Sequence, residues 1–104
     1  MKVHIWLRKK TGMSDDEFRE YWLTTHGPIA GEGYEHLRSY RVSLVTRVPE
    51  GQERPYDGVA ELTWDDRDGF KADMASDVAK RSTEDLASFT DGFGLLFVED
   101  HTVK

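Results

Sequence analysis

The stretch MSDDEFREYWLTTHGP, residues 13–28, carries a full set of signals for the start of an α-helix. Ser14 is a natural N-cap, and Glu17, three residues later, completes the pattern of a capping box. Met13 can pack on Phe18 as a hydrophobic staple, and the acidic residues of the first turn complement the helix dipole. These signals predict a helix that begins directly after Ser14.

One face of this helix is apolar and ends on a histidine. Phe18, Trp22 and His26 follow each other at four-residue spacing and therefore share a face. Gly27 and Pro28 come directly after His26, so we expect the helix to stop or kink there. The pattern places His26 at the mouth of a pocket, pointing towards the edge of a sheet.

Strands and a second helical region surround this helix. Apolar and polar residues alternate in the first and third predicted strands, and β-branched and aromatic residues enrich the second. Phe70, Met74 and Val78 recur every four residues, which indicates a helix capped by Asp65 or Asp66. The predicted strands span residues 2–8, 37–48, 56–64 and 95–103, with further helical segments at 28–36 and from residue 82, before the glycines at 92 and 94.

The order of these elements predicts the fold. A β-α-β-β-α-β order with right-handed crossovers gives a ferredoxin-like α+β fold, in which a four-stranded antiparallel sheet carries its helices on one face. The length of 104 residues fits a single domain over residues 1–104.

The other face of such a sheet has no helix to cover it. Large aromatic residues there would favour an interface, and polar groups among them would favour a pocket. We therefore predict a homodimer in which two sheets pack face to face around a small-molecule cavity. The alternative is a plain interface in which Trp6 and Phe97 stack and His4 pairs with Glu61 across the strands. The residues placed on this face are His4, Trp6, Arg8, Val59, Glu61, Thr63, Phe97, Glu99 and His101.

Composition narrows the partners and the compartment. The formal net charge is −6, which disfavours nucleic acid because the phosphate backbone would be repelled. No cysteine is present, and the expected compartment is the cytoplasm. No apolar run reaches the roughly 18 residues of a membrane span. We expect no signal peptide and no membrane partner.

His26 is the first candidate for chemistry. A histidine titrates near neutral pH, so it is a natural general acid or base for moving a proton on a small organic ring. The competing interpretation is a histidine that caps the helix C-terminus through the last-turn carbonyls.

Glu61 and His4 are the second candidates. An inward-facing carboxylate would have a raised pKa and could carry a proton, or it could form a plain ion pair with Arg8 or His4. Tyr40 could orient an oxyanion through its hydroxyl, and His101 could join the site or remain in solvent. The histidines show no ligand spacing for a metal, and we expect no cofactor. The remaining predicted substrate-binding residues are Trp6, Trp22 and Phe97.

Residues 8–30 resemble the signature of the EthD family, most specifically in Phe18, Tyr21-Trp22 and His26-Gly27-Pro28. Residues 57–65, DGVAELTWD, are similar to the third strand of that family, and Asp85 to Phe89 with residues 99–101 is similar to its C-terminal part. The resemblance implies a dimeric α/β barrel with a cleft between sheet and helices. Relatives in such barrel families include isomerases, polyketide cyclases, decarboxylases, dehydratases and cofactor-free oxygenases, so the fold alone does not fix the reaction.

Three functions follow as hypotheses. The first is a cofactor-independent proton-transfer enzyme of the isomerase, cyclase or lyase type, acting on a small aromatic, lactone or polyketide-like molecule, with His26 assisted by Glu61 and His4. The second is a non-catalytic accessory protein that binds a hydrophobic metabolite of an oxidative degradation or biosynthetic pathway. The third is a cofactor-free oxygenase, for which Trp6 and Trp64 would matter more.

Overall fold

A computed structural model describes all 104 residues and confirms the predicted ferredoxin-like α+β fold. The antiparallel sheet has the order β2-β3-β1-β4, with the helices on one face. Its strands are β1 (Lys2–Lys9), β2 (Leu37–Leu44), β3 (Gly58–Trp64) and β4 (Thr90–Val98). The α-helices are α1 (Asp15–Tyr21), α2 (Gly27–Gly33), α3 (Arg67–Met74) and α4 (Asp77–Asp85). None of them is long and apolar enough to cross a membrane.

The start of α1 confirms the predicted capping box. The Glu17 backbone N–H donates to Ser14 Oγ at 3.1 Å, and the Ser14 backbone N–H donates to Glu17 Oε1 at 3.0 Å. These bonds satisfy two of the amides that a helix start leaves without partners. The predicted apolar face is also confirmed, because Phe18, Trp22 and His26 are all buried.

The sequence predicted that the helix stops or kinks after His26. It does not stop there, because the chain stays helical through Gly27 into α2. A π-helical turn (Trp22–His26) joins α1 to α2, and the Gly27 N–H donates to the Trp22 carbonyl five residues back. Pro28 lies in the first turn of α2, where a missing N–H costs little. A Cβ on Gly27 would lie 2.9 Å from the Trp22 carbonyl oxygen, so only glycine fits this wide turn without a shift. His26, the last residue of this turn, is buried.

The core fills the space between the sheet and the helices. Alternate residues of β1 and β3 point into it, as the period of a strand requires. Three aromatic rings from outside the sheet complete it. The fully buried apolar cluster comprises Val3, Leu7, Phe18, Trp22, Ala60, Leu62, Trp64 and Phe89.

The last strand was predicted too late in the chain. β4 begins at Thr90, because Gly92 and Gly94 lie within the strand rather than before it. Gly94 lies opposite Trp6 of β1, and a Cβ there would lie 2.4 Å from the indole nitrogen. The glycine provides room for the indole to lie against the strand, which is a recognised use of glycine in a sheet.

The face assigned to Phe97 was also wrong. Phe97 lies opposite Val3, a core residue, and its ring centroid is 5.6 Å from that of Phe70 on α3. It is therefore on the helix side of the sheet, and Leu96 and Val98 take the uncovered face. A one-residue error in alternation inverts every side chain of a strand.

The helical segment predicted from residue 82 begins earlier. Ser76 is the N-cap of α4, and its side chain accepts the Ala79 N–H. Asp85 therefore lies at the end of a helix rather than near its start. Of the two predicted caps of α3, Asp65 and Asp66, the structure has Asp66, whose Oδ1 accepts the Gly69 N–H at 2.8 Å.

Candidate functional site: a histidine at a small apolar cavity

A cavity of about 110 Å³ lies between the helix-covered face of the sheet and the helices. Hydrophobic residues make up 15 of the 18 that line it. The side chains of the lining that can form hydrogen bonds are His26, the hydroxyls of Ser82, Thr83, Tyr34 and Tyr40, and the indoles of Trp22 and Trp64, which already donate to Tyr40 and Asp73. The cavity is thus largely apolar with a few polar groups, which is the usual composition of a small-molecule site.

Asp85 holds His26 in place. The Nδ1 atom of His26 lies 2.9 Å from Asp85 Oδ2, and the Tyr21 hydroxyl donates to Asp85 Oδ1 at 2.8 Å. An ionised carboxylate only accepts, so the proton of neutral His26 must be on Nδ1. The Nε2 atom then carries a free lone pair, and it forms no hydrogen bond within the protein.

The environment keeps His26 uncharged near neutral pH. Burial lowers its pKa below the ordinary value of 6.5, and the charge and hydrogen bond of Asp85 oppose that effect only in part. Only 5% of the residue is exposed. A neutral imidazole with a fixed tautomer and a free Nε2 is the form that accepts a proton.

The Tyr40 hydroxyl accepts one hydrogen bond and has its own proton free to donate. The Trp22 indole donates to the Tyr40 oxygen at 2.9 Å. Because an indole N–H cannot accept, the phenolic proton of Tyr40 remains available to another group. Burial raises the pKa of Tyr40, so the hydroxyl keeps its proton at neutral pH.

The other predicted catalytic residues lie on the opposite face of the sheet. His4 Nε2 is 3.1 Å from Glu61 Oε1, and the two are cross-strand partners in β1 and β3. Trp6 is on the same face, with the Arg8 guanidinium 5.6 Å from its ring centroid. The sheet separates these residues from His26, so the structure does not bring together the three predicted as one catalytic group.

The remaining predicted ligand residues divide in the same way. Trp22 and Tyr40 line the cavity together with His26. Phe97 is 66% exposed on the helix side and lies outside the lining. His101 follows the end of β4 in an exposed position, 3.1 Å from Glu99. No group of three or more acidic or histidine side chains is arranged to hold a metal ion.

Sequence reasoning missed Asp85 as the partner of His26 and Tyr21 as the second partner of Asp85. Asp85 is 59 residues from His26 along the chain, so no local spacing connects them. The available signal was helical periodicity. With α4 placed at Asp77–Asp85, Ala79 and Ser82 share a face towards the core, and Asp85 follows Ser82 at the next turn.

Comparison with known structures agrees with this fold. A protein of the EthD family from Bacillus halodurans has a TM-score of 0.78 at 24% identity, over 97% of this chain and 99% of that one. Hydroxynitrile lyase from Passiflora edulis has a TM-score of 0.74 at 12% identity, over 99% and 95%. A dimeric ferredoxin-like protein from Thermobifida fusca has a TM-score of 0.69 at 16% identity, over 91% and 85%.

Fold and cavity together define a ferredoxin-like protein with a histidine at a largely apolar cavity. The EthD domain family matches residues 10–92, and the chain belongs to that family. No curated protein matches the sequence.

Proposed function

We propose that this protein is an enzyme that moves a proton on a small, mostly apolar organic molecule, with His26 Nε2 as the general base and then the general acid. The observation that carries the proposal is the buried His26–Asp85 pair, whose free Nε2 is on a histidine lining the cavity. A positioned base of this kind typically contributes about 10²–10⁴-fold to a rate.

The chemistry begins with a C–H bond next to a carbonyl group. His26 takes the proton on Nε2, the electron pair moves towards the carbonyl oxygen, and the same nitrogen returns the proton to another atom of the molecule. Isomerisation, cyclisation and elimination all start in this way. Because the histidine itself carries the proton, the proposal requires no cofactor.

The size of the cavity limits the substrate. A cavity of about 150 Å³ holds a benzene ring. The 110 Å³ found here therefore suits a molecule of about one small ring. A lactone or simple cyclic ketone fits this space better than a polyketide of several rings, which would have to displace lining side chains.

The proposal is tested with cyclopent-3-enone, a single-ring ketone that becomes conjugated cyclopent-2-enone when one proton moves. Ultraviolet absorbance follows the reaction. We expect the protein to accelerate it and His26→Asn to remove the acceleration. Asparagine keeps an N–H near the position of Nδ1 for Asp85 but has no equivalent of Nε2. Equal rates for the two proteins would contradict the role of His26.

A binding protein without catalysis is the second candidate, and the apolar lining favours it. Such a protein would hold a hydrophobic molecule whether or not His26 is present. Unchanged affinity for a ligand in His26→Asn, together with no proton transfer by the wild-type chain on any carbon acid that binds, would support this second function.

The homodimer belongs to the same proposal. The uncovered face carries Trp6 and Val59, together with Leu96, which is 53% exposed. Sheet-to-sheet pairing would remove this apolar surface from water. We expect analytical ultracentrifugation at micromolar concentration to show a species of twice the 12.0 kDa chain, and Leu96→Lys to shift it towards the monomer. A monomer in the wild type would contradict the dimer and leave the cavity argument unaffected.

A further inference from the structure

We infer that the cavity selects an uncharged molecule with an acceptor oxygen, such as a ketone or lactone, and that the Tyr40 hydroxyl binds that oxygen. The inference deepens the proposed function and rests on it only for what happens after binding. It excludes carboxylates and phosphates as ligands of this site.

The charge of the lining is the first argument. No lysine or arginine lines the cavity, so an anion would enter without a counter-charge. The carboxylate of Asp85, directly behind His26, would repel it further. A cation would fare no better, because both oxygens of Asp85 already accept hydrogen bonds from Tyr21 and His26. Uncharged ligands avoid both costs.

The hydrogen-bonding groups give the second argument. Tyr40 accepts from Trp22, and no protein acceptor takes its own proton. Tyr34 is the other phenol of the lining, and it has no partner comparable to the Trp22 indole, which donates to Tyr40 at 2.9 Å. A half-buried donor facing an apolar cavity gains from an acceptor, and a carbonyl oxygen would supply one. Tyr40 is therefore the hydroxyl that we assign to the ligand oxygen, because the Trp22 indole holds it in place and leaves its proton free.

The same bond would assist the reaction. As His26 removes the proton, negative charge develops on the carbonyl oxygen that Tyr40 contacts. A hydrogen bond donated to an oxygen that gains charge strengthens in the transition state. The bond from the Trp22 indole withdraws electron density from the Tyr40 oxygen and makes its proton a better donor.

The test is equilibrium binding by nuclear magnetic resonance on the whole chain at about pH 8, where an imidazole is neutral. Three ligands of similar size are compared: cyclopentanone, methylenecyclopentane and cyclobutanecarboxylate. The indole N–H resonance of Trp22 reports on Tyr40 because the two are bonded. We expect the ketone to bind about tenfold more tightly than the alkene. The carboxylate is expected to bind more weakly than either, and carboxylate binding as tight as that of the ketone would overturn the inference.

Two phenylalanine variants locate the donor. Tyr40→Phe should lower the affinity for cyclopentanone to that for methylenecyclopentane and leave the affinity for the alkene unchanged. Retained binding of the alkene shows that the cavity is intact. Tyr34→Phe removes a second hydroxyl from the same lining and should keep the preference for the ketone. Loss of the preference in Tyr34→Phe alone would overturn the assignment to Tyr40.

The outcome is separable from that of the proposed function. Preference for the ketone without isomerisation of cyclopent-3-enone would support the ligand inference and contradict the proposed enzymatic function. Isomerisation by a protein that binds the carboxylate as tightly as the ketone would support the enzyme and overturn the ligand inference. The ligand series on the wild-type chain stands even if a variant does not fold.

Discussion

The two faces of the sheet each carry a histidine paired with a carboxylate, and the pairs differ mainly in their surroundings. On the helix-covered face, His26 and Asp85 are 2.9 Å apart, with side chains 7% and 19% exposed. On the uncovered face, His4 and Glu61 are 3.1 Å apart, and both side chains are 31% exposed. The two pairs have similar distances and differ in how far they are excluded from water.

Burial changes what a histidine can do. The pKa of His26 is lowered mainly because its charged form would lose hydration, and the tautomer is fixed by Asp85. Solvent screens the partly exposed pair on the other face, where such ion pairs contribute little. The contrast favours His26 as the proton carrier and a structural or interface role for His4 and Glu61.

The largest expected effect is the difference between two asparagine substitutions. His26→Asn should lower kcat/KM for cyclopent-3-enone by about 10²–10⁴-fold, because the proton acceptor is lost. His4→Asn, on the opposite face, should leave kcat/KM within about twofold, because the sheet separates this partly exposed side chain from the cavity. Steady-state kinetics measures both. An equal loss in the two variants would mean that both faces take part in one site.

The carboxylates sharpen the comparison further. Asp85→Asn should lower kcat/KM by about tenfold or more, because the pKa of His26 falls further and the base weakens. The acidic limb of the pH–rate profile should move to lower pH. The amide has one acceptor oxygen for the donors of His26 and Tyr21, so stability should also fall by about 1–3 kcal/mol.

Glu61→Gln is the control for Asp85→Asn. Its partner His4 remains partly hydrated, so we expect a change in stability of about 0.5 kcal/mol or less and no shift of the pH–rate profile. Urea unfolding and the pH profile are measured on both variants. A shifted pH–rate profile in Glu61→Gln would indicate that Glu61 takes part in catalysis.

The uncovered face can be disturbed without touching the cavity. A Cβ at Gly94 would overlap the Trp6 indole, so Gly94→Ala should lower the unfolding free energy by about 1–3 kcal/mol. Nothing lies within 4 Å of a Cβ at Gly92, and Gly92→Ala should be close to neutral. The folded Gly94→Ala protein should keep its kcat/KM. A large loss of rate would show that the two faces are coupled.

The smallest expected effect is on the pH dependence of stability. The pKa of His26 is lower in the folded chain than the ordinary 6.5, so the unfolded chain binds the proton first as pH falls. The free energy of unfolding should therefore decline as pH falls from about 6.5 towards the pKa of His26 in the folded chain. The decline should be at most about 1.4 kcal/mol per pH unit. His26→Asn should remove this part of the slope, and His4→Asn should retain it. Thermal unfolding between about pH 5 and 8 tests this.

Local signals predicted the fold because each was strong and independent. The capping box at Ser14, the spacing of Phe18, Trp22 and His26, and the alternation of β3 all describe local geometry, and all are found. The last strand failed because its glycines serve a neighbouring strand. Gly94 is read as a break unless Trp6 is known to lie over it.

The site was harder to predict than the fold because it depends on contacts distant in sequence. His26, Trp22 and Tyr40 were predicted from their residue type and place in their elements, and all three line the cavity. Asp85 was not, because its relation to His26 exists only once α4 packs beside the π-helical turn. His4 and Glu61 were grouped with His26 because a polar sheet face was taken for the site, although the cavity is on the other side.

The position of Trp22 affects how the protein unfolds. Its ring is fully buried in the core, its carbonyl accepts from Gly27, and its indole holds Tyr40. The residue that anchors the fold is also the one that arranges the cavity, so the site and the core form one cooperative unit. The indole hydrogen of Trp22 should exchange with deuterium only when the whole chain unfolds, at a rate set by global stability. A mutation that destabilises the fold anywhere would then lower the fraction of molecules with an intact site. The geometry of the site would stay the same in the molecules that remain folded.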